Sequence, residues 1–251
     1  MAFTNCYEDA ARAEAYAQLE FANTYYLAYR DLPSIFHDHV TGKRAIDFGC
    51  GAGRSSRFLR RLGFDVAGVD IAPQMIAKAR ELDPNGDYRL AKGDNIGEFQ
   101  TGAYDLVLSA FTFDNIPGFA NKVRLFHDLG ALLKATGRIV SVVSSPDIYI
   151  HEWASFSTKD FPENRLARSG DTVKIITTEL ADRRPAEDIL WTDESYRQVY
   201  AAAGLGLVAT YKPLAKGDEP HHWVNETSFA PWVIYVLRPA EQPDLPERDE
   251  P

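Results

Sequence analysis

The chain holds only two cysteines in 251 residues, Cys6 and Cys50. They stand far apart, and Cys50 sits inside a glycine-rich turn, so a disulfide framework is not expected. No apolar run reaches the roughly 18 residues that a membrane-crossing helix needs. The first residues carry Glu8, Asp9, Arg12 and Glu14 where a secretory signal would be hydrophobic. Clustered Lys and Arg are missing as well: 27 basic residues face 36 acidic ones, for a formal net charge of -9. That balance repels a polyanion at long range and argues against DNA or RNA as a partner. No internal repeat is present. These absences predict a cytoplasmic protein with neither a membrane nor a nucleic-acid partner; monomer and homodimer both stay open.

What is present alternates. With 45% hydrophobic residues, the length suits one elaborated α/β domain better than two complete ones. Residues 5 to about 40 read as two helices, with Tyr16, Leu19, Tyr26, Leu27 and Tyr29 at apolar positions and Pro33 interrupting the second, which makes 1–40 a helical cap. Strands over 44–48, 66–70, 88–93, 105–110 and 138–144 then alternate with helices over 54–62, 73–82 and 119–133. The runs Leu106-Val107-Leu108 and Ile139-Val140-Ser141-Val142-Val143 suit strands buried on both faces, as in a parallel sheet covered by helices. Pro73 fits a first helical turn, and Thr136-Gly137 is expected to close the helix before the fifth strand.

Residues 146–191 break this rhythm and read as a lid inserted after strand 5, with a hairpin leaving at 173–178 and returning at 189–191. A helix over 193–203, capped by Thr192, precedes strands over 205–212 and 232–237, an antiparallel pair. The expected fold is a doubly wound, Rossmann-like α/β domain over 41–240. Its sheet is seven-stranded and mostly parallel, with an antiparallel C-terminal strand. The Pro- and acid-rich tail over 241–251 is expected to be disordered.

The most informative stretch is Ala45-Ile46-Asp47-Phe48-Gly49-Cys50-Gly51-Ala52-Gly53-Arg54. Alternating glycines let a strand turn sharply into a helix while the backbone closes on a ligand. The dinucleotide pattern G-x-G-x-x-G/A requires a small residue where Arg54 stands. The spacing acid-x-Gly-x-Gly-x-Gly instead resembles motif I of the class I S-adenosylmethionine-dependent methyltransferases, of the small-molecule, type 11-like branch.

That resemblance implies Asp47 behind the loop, with Gly49, Cys50, Gly51 and Gly53 against the methionine part of S-adenosylmethionine; S-adenosylhomocysteine is then a product. It implies Asp70 on the ribose diol, although Asp70 serves equally as a cap for the helix at Pro73. Ile71 and Met75 flank the adenine, and Asp94 with Asn95 reads it. Ser109, Ala110 and Phe111 line the methyl-transfer point, with Phe113 and Asp114 on the acceptor side. The chain lacks the Asn/Asp-Pro-Pro-aromatic tetrapeptide of the adenine and glutamine amide branches. It also lacks the second carboxylate cluster of the catechol-type enzymes, so no metal is expected. Ubiquinone-biosynthesis-like relatives often carry two histidines where Phe113-Asp114 stands.

A hydroxyl or carbon-acid acceptor must lose a proton, and imidazole titrates nearest neutrality, which makes His151 the base candidate. Trp153 in the lid, with His222 and Trp223 in the loop between the last two strands, is expected on the substrate side, while Tyr26 and Arg30 are expected among the cofactor-binding residues, Arg30 towards the methionine carboxylate. The implied activity is in-line methyl transfer to a small organic acceptor. A nicotinamide-dependent oxidoreductase and a non-catalytic S-adenosylmethionine-binding protein are the alternatives.

Overall fold

The computed structural model describes residues 10–91 and 99–240. Its main sheet contains β1 (Arg44–Phe48), β2 (Asp65–Asp70), β3 (Asp87–Leu90), β4 (Tyr104–Ala110), β5 (Leu133–Ser144), β9 (Leu205–Tyr211) and β10 (Trp232–Pro239), in the order β3-β2-β1-β4-β5-β10-β9. The first five are parallel, and β10 runs antiparallel to both β5 and β9. The expected seven-stranded, mostly parallel sheet is therefore present. Its order reverses at β1, which pairs with β2 on one side and β4 on the other. Loops leaving β1 and β4 diverge there and open a crevice at the strand ends, the usual ligand position in such sheets.

Alternation within the central strands explains the layers. Leu106, Leu108, Val140 and Val142 point to one face, where they meet Leu27, Leu32 and Phe36 of α2 (Thr24–Arg30) and α3 (Leu32–His39) and Leu59 of α4 (Arg54–Arg61). Val107, Ile139 and Val143 point to the other, against Leu125, Phe126 and Leu129 of α6 (Phe119–Leu132) and Val199 of α7 (Asp193–Ala202). Truncating a fully buried member such as Leu27 to Ala costs about 2–5 kcal/mol. Thr192 caps α7, accepting the Ser195 N–H at 3.3 Å as the sequence predicted.

Four details differ from the sequence expectations. Three helices precede β1, because α1 (Ala10–Ala17) is separate and Pro33 starts α3 instead of interrupting a longer helix. Proline has no N–H to lose in a first turn. Gly137 does not close α6, which ends at Leu132; it lies inside β5, where a Cβ would sit 2.8 Å from the Tyr104 carbonyl oxygen. The hairpin pairs β7 (Thr172–Thr177) with β8 (Ala186–Ile189), so it returns earlier than expected, and β6 (Phe156–Ser157) adds a third strand. β3 ends at Leu90, while Asp94, Asn95 and the 241–251 tail lie outside the described residues.

Candidate active site

The crevice is a cavity of about 420 Å³ that runs from the glycine loop to the β7–β8 hairpin, a size suited to small organic ligands. At one end the loop after β1 turns through Gly49 (φ +73°), Gly51 (φ +52°) and Gly53 (φ +80°), a left-handed series that L side chains rarely adopt. Their roles differ. A Cβ at Gly49 would lie 2.1 Å from Thr112 Oγ1, and one at Gly53 would lie 2.6 Å from the Tyr88 hydroxyl. At Gly51 the nearest atom would be Met75 Cε at 3.8 Å, so the backbone there faces open cavity.

Asp70, at the end of β2, ties this end together. Its Oδ2 accepts the Gly51 N–H at 2.9 Å and its Oδ1 accepts the Ala72 N–H at 2.8 Å. It thus steadies the start of α5 (Pro73–Leu82) while also lining the cavity. Burial raises its pKa despite those bonds. Each carboxylate oxygen has a second lone pair for a ligand hydroxyl. Ile71, Met75 and Ala91 provide apolar cover beside it.

Asp47 stays behind the loop. It is fully buried, and its Oδ2 accepts the Ser55 and Ser56 hydroxyls at 2.7 and 2.6 Å, which anchors α4. Burial lifts its pKa to about 6. Cys50, a free buried thiol raised by the same cause, lines the cavity beside Gly51.

Phe111, just past β4, adopts φ +64°, which a bulky residue holds only under constraint from its surroundings. Its ring is clasped by Tyr25 (5.7 Å), Tyr29 (6.3 Å) and Trp232 (4.6 Å), with the Arg54 guanidinium 5.6 Å away. The turn that follows presents Asp114 to the cavity. Asp114 accepts the Ser144 N–H and hydroxyl at 3.0 and 2.9 Å, and burial raises its pKa. Lys122, completely buried nearby, donates to the Phe113 carbonyl, and burial lowers its pKa.

Several residues expected at the site lie elsewhere. His151 does not line the cavity; its ring stacks on Phe229 at 4.0 Å. Arg30 donates to Glu219 at 2.7 Å and to Asp31 at 2.8 Å, also away from the cavity. Tyr26 and Trp223 pack around His221, and His222 is exposed. Trp153 is buried and donates its indole N–H to the Ile148 carbonyl at 2.9 Å. Phe113 stacks on Phe126 at 3.8 Å within the core, and Ser109 is buried outside the cavity wall. Asp70, Ile71, Met75, Gly49, Cys50, Gly51, Ala110, Phe111 and Asp114 do come together.

The structure adds residues that the sequence reading passed over. Arg54 lines the cavity with its guanidinium 4.6 Å from the Tyr25 ring and a bond to the Glu20 carbonyl at 3.0 Å. Asp188 enters from β8 and accepts the Tyr149 hydroxyl at 3.1 Å. Its signal was present: Ala186, Asp188 and Leu190 alternate towards the interior, an acid within an inward-facing row. Among the described residues, no group of His, Cys, Asp or Glu is arranged to hold a metal, and no helix is long and apolar enough to cross a membrane.

Comparison with known proteins follows the same lines. A family described as a methyltransferase domain matches residues 46–141. The chain is similar to the ubiquinone biosynthesis O-methyltransferase of Burkholderia thailandensis, 33% identical over 188 residues that span 72% of this chain and 73% of the relative. The Pseudomonas aeruginosa protein of the same name is 27% identical over 183 residues, 70% of this chain and 72% of its own. Among solved structures, Streptomyces venezuelae DesVI superposes with a TM-score of 0.62 at 16% identity, covering 92% of this chain and 99% of that one. A methyltransferase from Clostridium acetobutylicum, described as S-adenosylmethionine-dependent, gives 0.61 at 12% identity, covering 94% and 100%. Those two share the fold; the Burkholderia likeness, over most of both chains, marks common descent. This enzyme belongs to the class I S-adenosylmethionine-dependent methyltransferases.

Proposed function

We propose that the enzyme methylates a small organic acceptor bound between Phe111 and the β7–β8 hairpin, with S-adenosylmethionine at the glycine-loop end. The observation that carries this reading is a single cavity shared by both ends, lined by Gly51 and Asp70 on one side and by Phe111, Asp114 and Asp188 on the other. The residues fit the cofactor: Gly51 leaves the space that a Cβ would narrow, Asp70 offers a carboxylate to a diol, and Ile71 with Met75 offers apolar cover. Arg54 is the cavity-lining cation nearest the loop, placed for a carboxylate. The cofactor supplies a methyl group on a sulfonium, activated without acid or metal.

The protein's own work is then largely positioning, which by itself lowers such barriers substantially. Phe111 and Trp232 form a wall that fixes the acceptor's approach. Tyr25, Ile148, Phe156 and Ile175 keep the acceptor end apolar and exclude water. Asp114 and Asp188 are the proton-accepting groups within reach, and they take the place that the sequence assigned to His151. Ubiquinone biosynthesis relatives are named O-methyltransferases, which supports a small organic acceptor.

Incubation with S-adenosylmethionine and a panel of hydroxyl, amine and carbon-acid acceptors, read as S-adenosylhomocysteine formed, tests the proposal. Acceptor-dependent product is expected. Tight S-adenosylhomocysteine binding with no turnover on any acceptor would reduce the protein to a cofactor binder.

A further inference from the structure

The acceptor end of the cavity is electrostatically lopsided. Two carboxylates, Asp114 and Asp188, line it; Arg54 lies over the Tyr25 ring and the charges of Arg12 and Lys122 act on Asp188 through space, but among the described residues neither Arg54 nor Lys122 hydrogen-bonds to either carboxylate. Lys122 donates to the Phe113 carbonyl and lies 5.0 Å from the Trp191 ring, and Arg12 donates to the Pro185 carbonyl at 3.0 Å. Asp114 is well supplied, with the Ser144 N–H and hydroxyl on Oδ2 and the Tyr196 hydroxyl at 3.4 Å from Oδ1. Asp188 is not: Tyr149 donates to Oδ2, and Oδ1 receives no hydrogen bond among the described residues. Burial and the neighbouring Asp114 charge raise the Asp188 pKa to about 7, so its ionised form at this apolar wall is costly until a donor or a positive charge meets it.

A second feature is independent of the acids. Tyr25, Phe111, Phe156 and Trp232 all line the cavity and form one ring cluster: Tyr25 to Phe156 is 5.2 Å, Tyr25 to Trp232 is 5.8 Å, Phe111 to Trp232 is 4.6 Å and Phe156 to Trp232 is 5.8 Å. Aromatic faces attract cations through their quadrupole, most strongly where water is excluded. The Tyr25 face is already used by Arg54 at 4.6 Å, and Phe156 and Trp232 line the cavity beside it.

We propose that the acceptor is an organic amine, a primary or secondary nitrogen on an apolar body. It binds as the ammonium against Asp188 Oδ1, with its carbon frame among Tyr25, Phe111, Phe156 and Trp232. This deepens the methyltransferase reading above and rests on it. An ammonium brings both a charge and several donors to the one open oxygen, whereas a hydroxyl brings a single neutral donor. An acceptor carrying a carboxylate or phosphate at that point meets two like charges. The same oxygen is placed to free the nitrogen lone pair: the N–H bond breaks, its electron pair stays on nitrogen and the proton passes to Asp188 Oδ1.

The test titrates the S-adenosylhomocysteine-loaded enzyme with phenethylamine, phenethyl alcohol and phenylacetate, three probes of nearly one shape, followed by Trp fluorescence and calorimetry. The amine is expected to bind at least about tenfold more tightly than the alcohol, with phenylacetate weakest. In Asp188→Asn that preference should fall below about threefold, with S-adenosylhomocysteine affinity unchanged. Glu187→Gln, on the same strand but exposed and 3.6 Å from Lys174, should keep the preference. Equal binding of alcohol and amine, tighter binding of phenylacetate, a preference that survives Asp188→Asn, or no amine binding across a series from benzylamine to dibenzylamine would each overturn the proposal. The wild-type ranking decides even if the Asn variant does not fold. Failure of S-adenosylhomocysteine itself to bind would fall on the underlying methyltransferase reading instead.

Discussion

The two ends of the cavity are built by different means. The glycine-loop end is mostly backbone: one turn with positive φ at Gly49, Gly51 and Gly53, pinned by the Val69 carbonyl to the Gly49 and Cys50 N–H groups and by Asp70 to that of Gly51. The hairpin end is mostly side chain, gathered from α2, the segments after β4 and β5, the small sheet and β10. The first end is specified within about 30 consecutive residues. The second exists only once distant segments have docked. A shared cofactor site with a variable acceptor site is what such a division permits, since only the second end can change without disturbing the loop.

The contrast can be broken most forcefully at Gly49. Gly49→Val places a β-branched residue at φ +73° and against Thr112, so stability should fall by about 3 kcal/mol or more, a Tm drop of about 10 °C. Thermal melts followed by circular dichroism read this.

The buried acid beneath the loop gives the next largest effect. Asp47 titrates near pH 6 in the fold against a reference of 3.8. Between those values the folded state keeps a proton that the unfolded chain has lost, so this group's contribution to stability falls as pH rises from about 4 to 6. Asp47→Asn removes that dependence. Relative to wild type, the variant should be about 2–3 kcal/mol better off at pH 7 than at pH 4, measured from urea midpoints.

Gly51→Val sharpens the difference between neighbouring glycines. Its added atoms enter open cavity, not Thr112, so S-adenosylhomocysteine affinity should drop at least about tenfold, with a stability loss of only about 1–2 kcal/mol from the left-handed backbone. Calorimetry and melts on one preparation separate the two quantities. The smallest effects belong to residues outside the cavity. Arg30→Ala and His151→Ala should each leave cofactor affinity and methylation rate within about twofold, the former losing about 1 kcal/mol with its Glu219 pair.

These two ends were also unequally legible in the sequence. Gly49, Gly51 and Asp70 could be placed at the crevice because strand, turn and helix impose a chemical requirement on neighbouring residues, and a short window shows it. The sheet itself was legible for the same reason, from apolar runs such as Leu106-Val107-Leu108. Trp153, Phe113 and Trp223 were misplaced because an aromatic ring has the same sequence signature in a core as in a pocket wall. His151 looked catalytic by residue type, yet its ring packs on Phe229, 78 positions later in the chain. Asp188 lies on a return strand that starts at Ala186, three residues before the stretch whose pattern suggests it. Arg54 shows in the sequence only as a departure from the dinucleotide fingerprint, and that departure places a guanidinium in the cavity.

The most direct test of the central claim, that the glycine loop and Asp70 hold the cofactor in this cavity, is calorimetric titration of S-adenosylhomocysteine into wild type, Asp70→Ala and Arg30→Ala, with NAD and NADP as controls. The account predicts binding of the adenosyl ligand alone, weakened at least about tenfold by Asp70→Ala and unchanged by Arg30→Ala. Equal affinity in Asp70→Ala, or binding of a nicotinamide dinucleotide in its place, would contradict it.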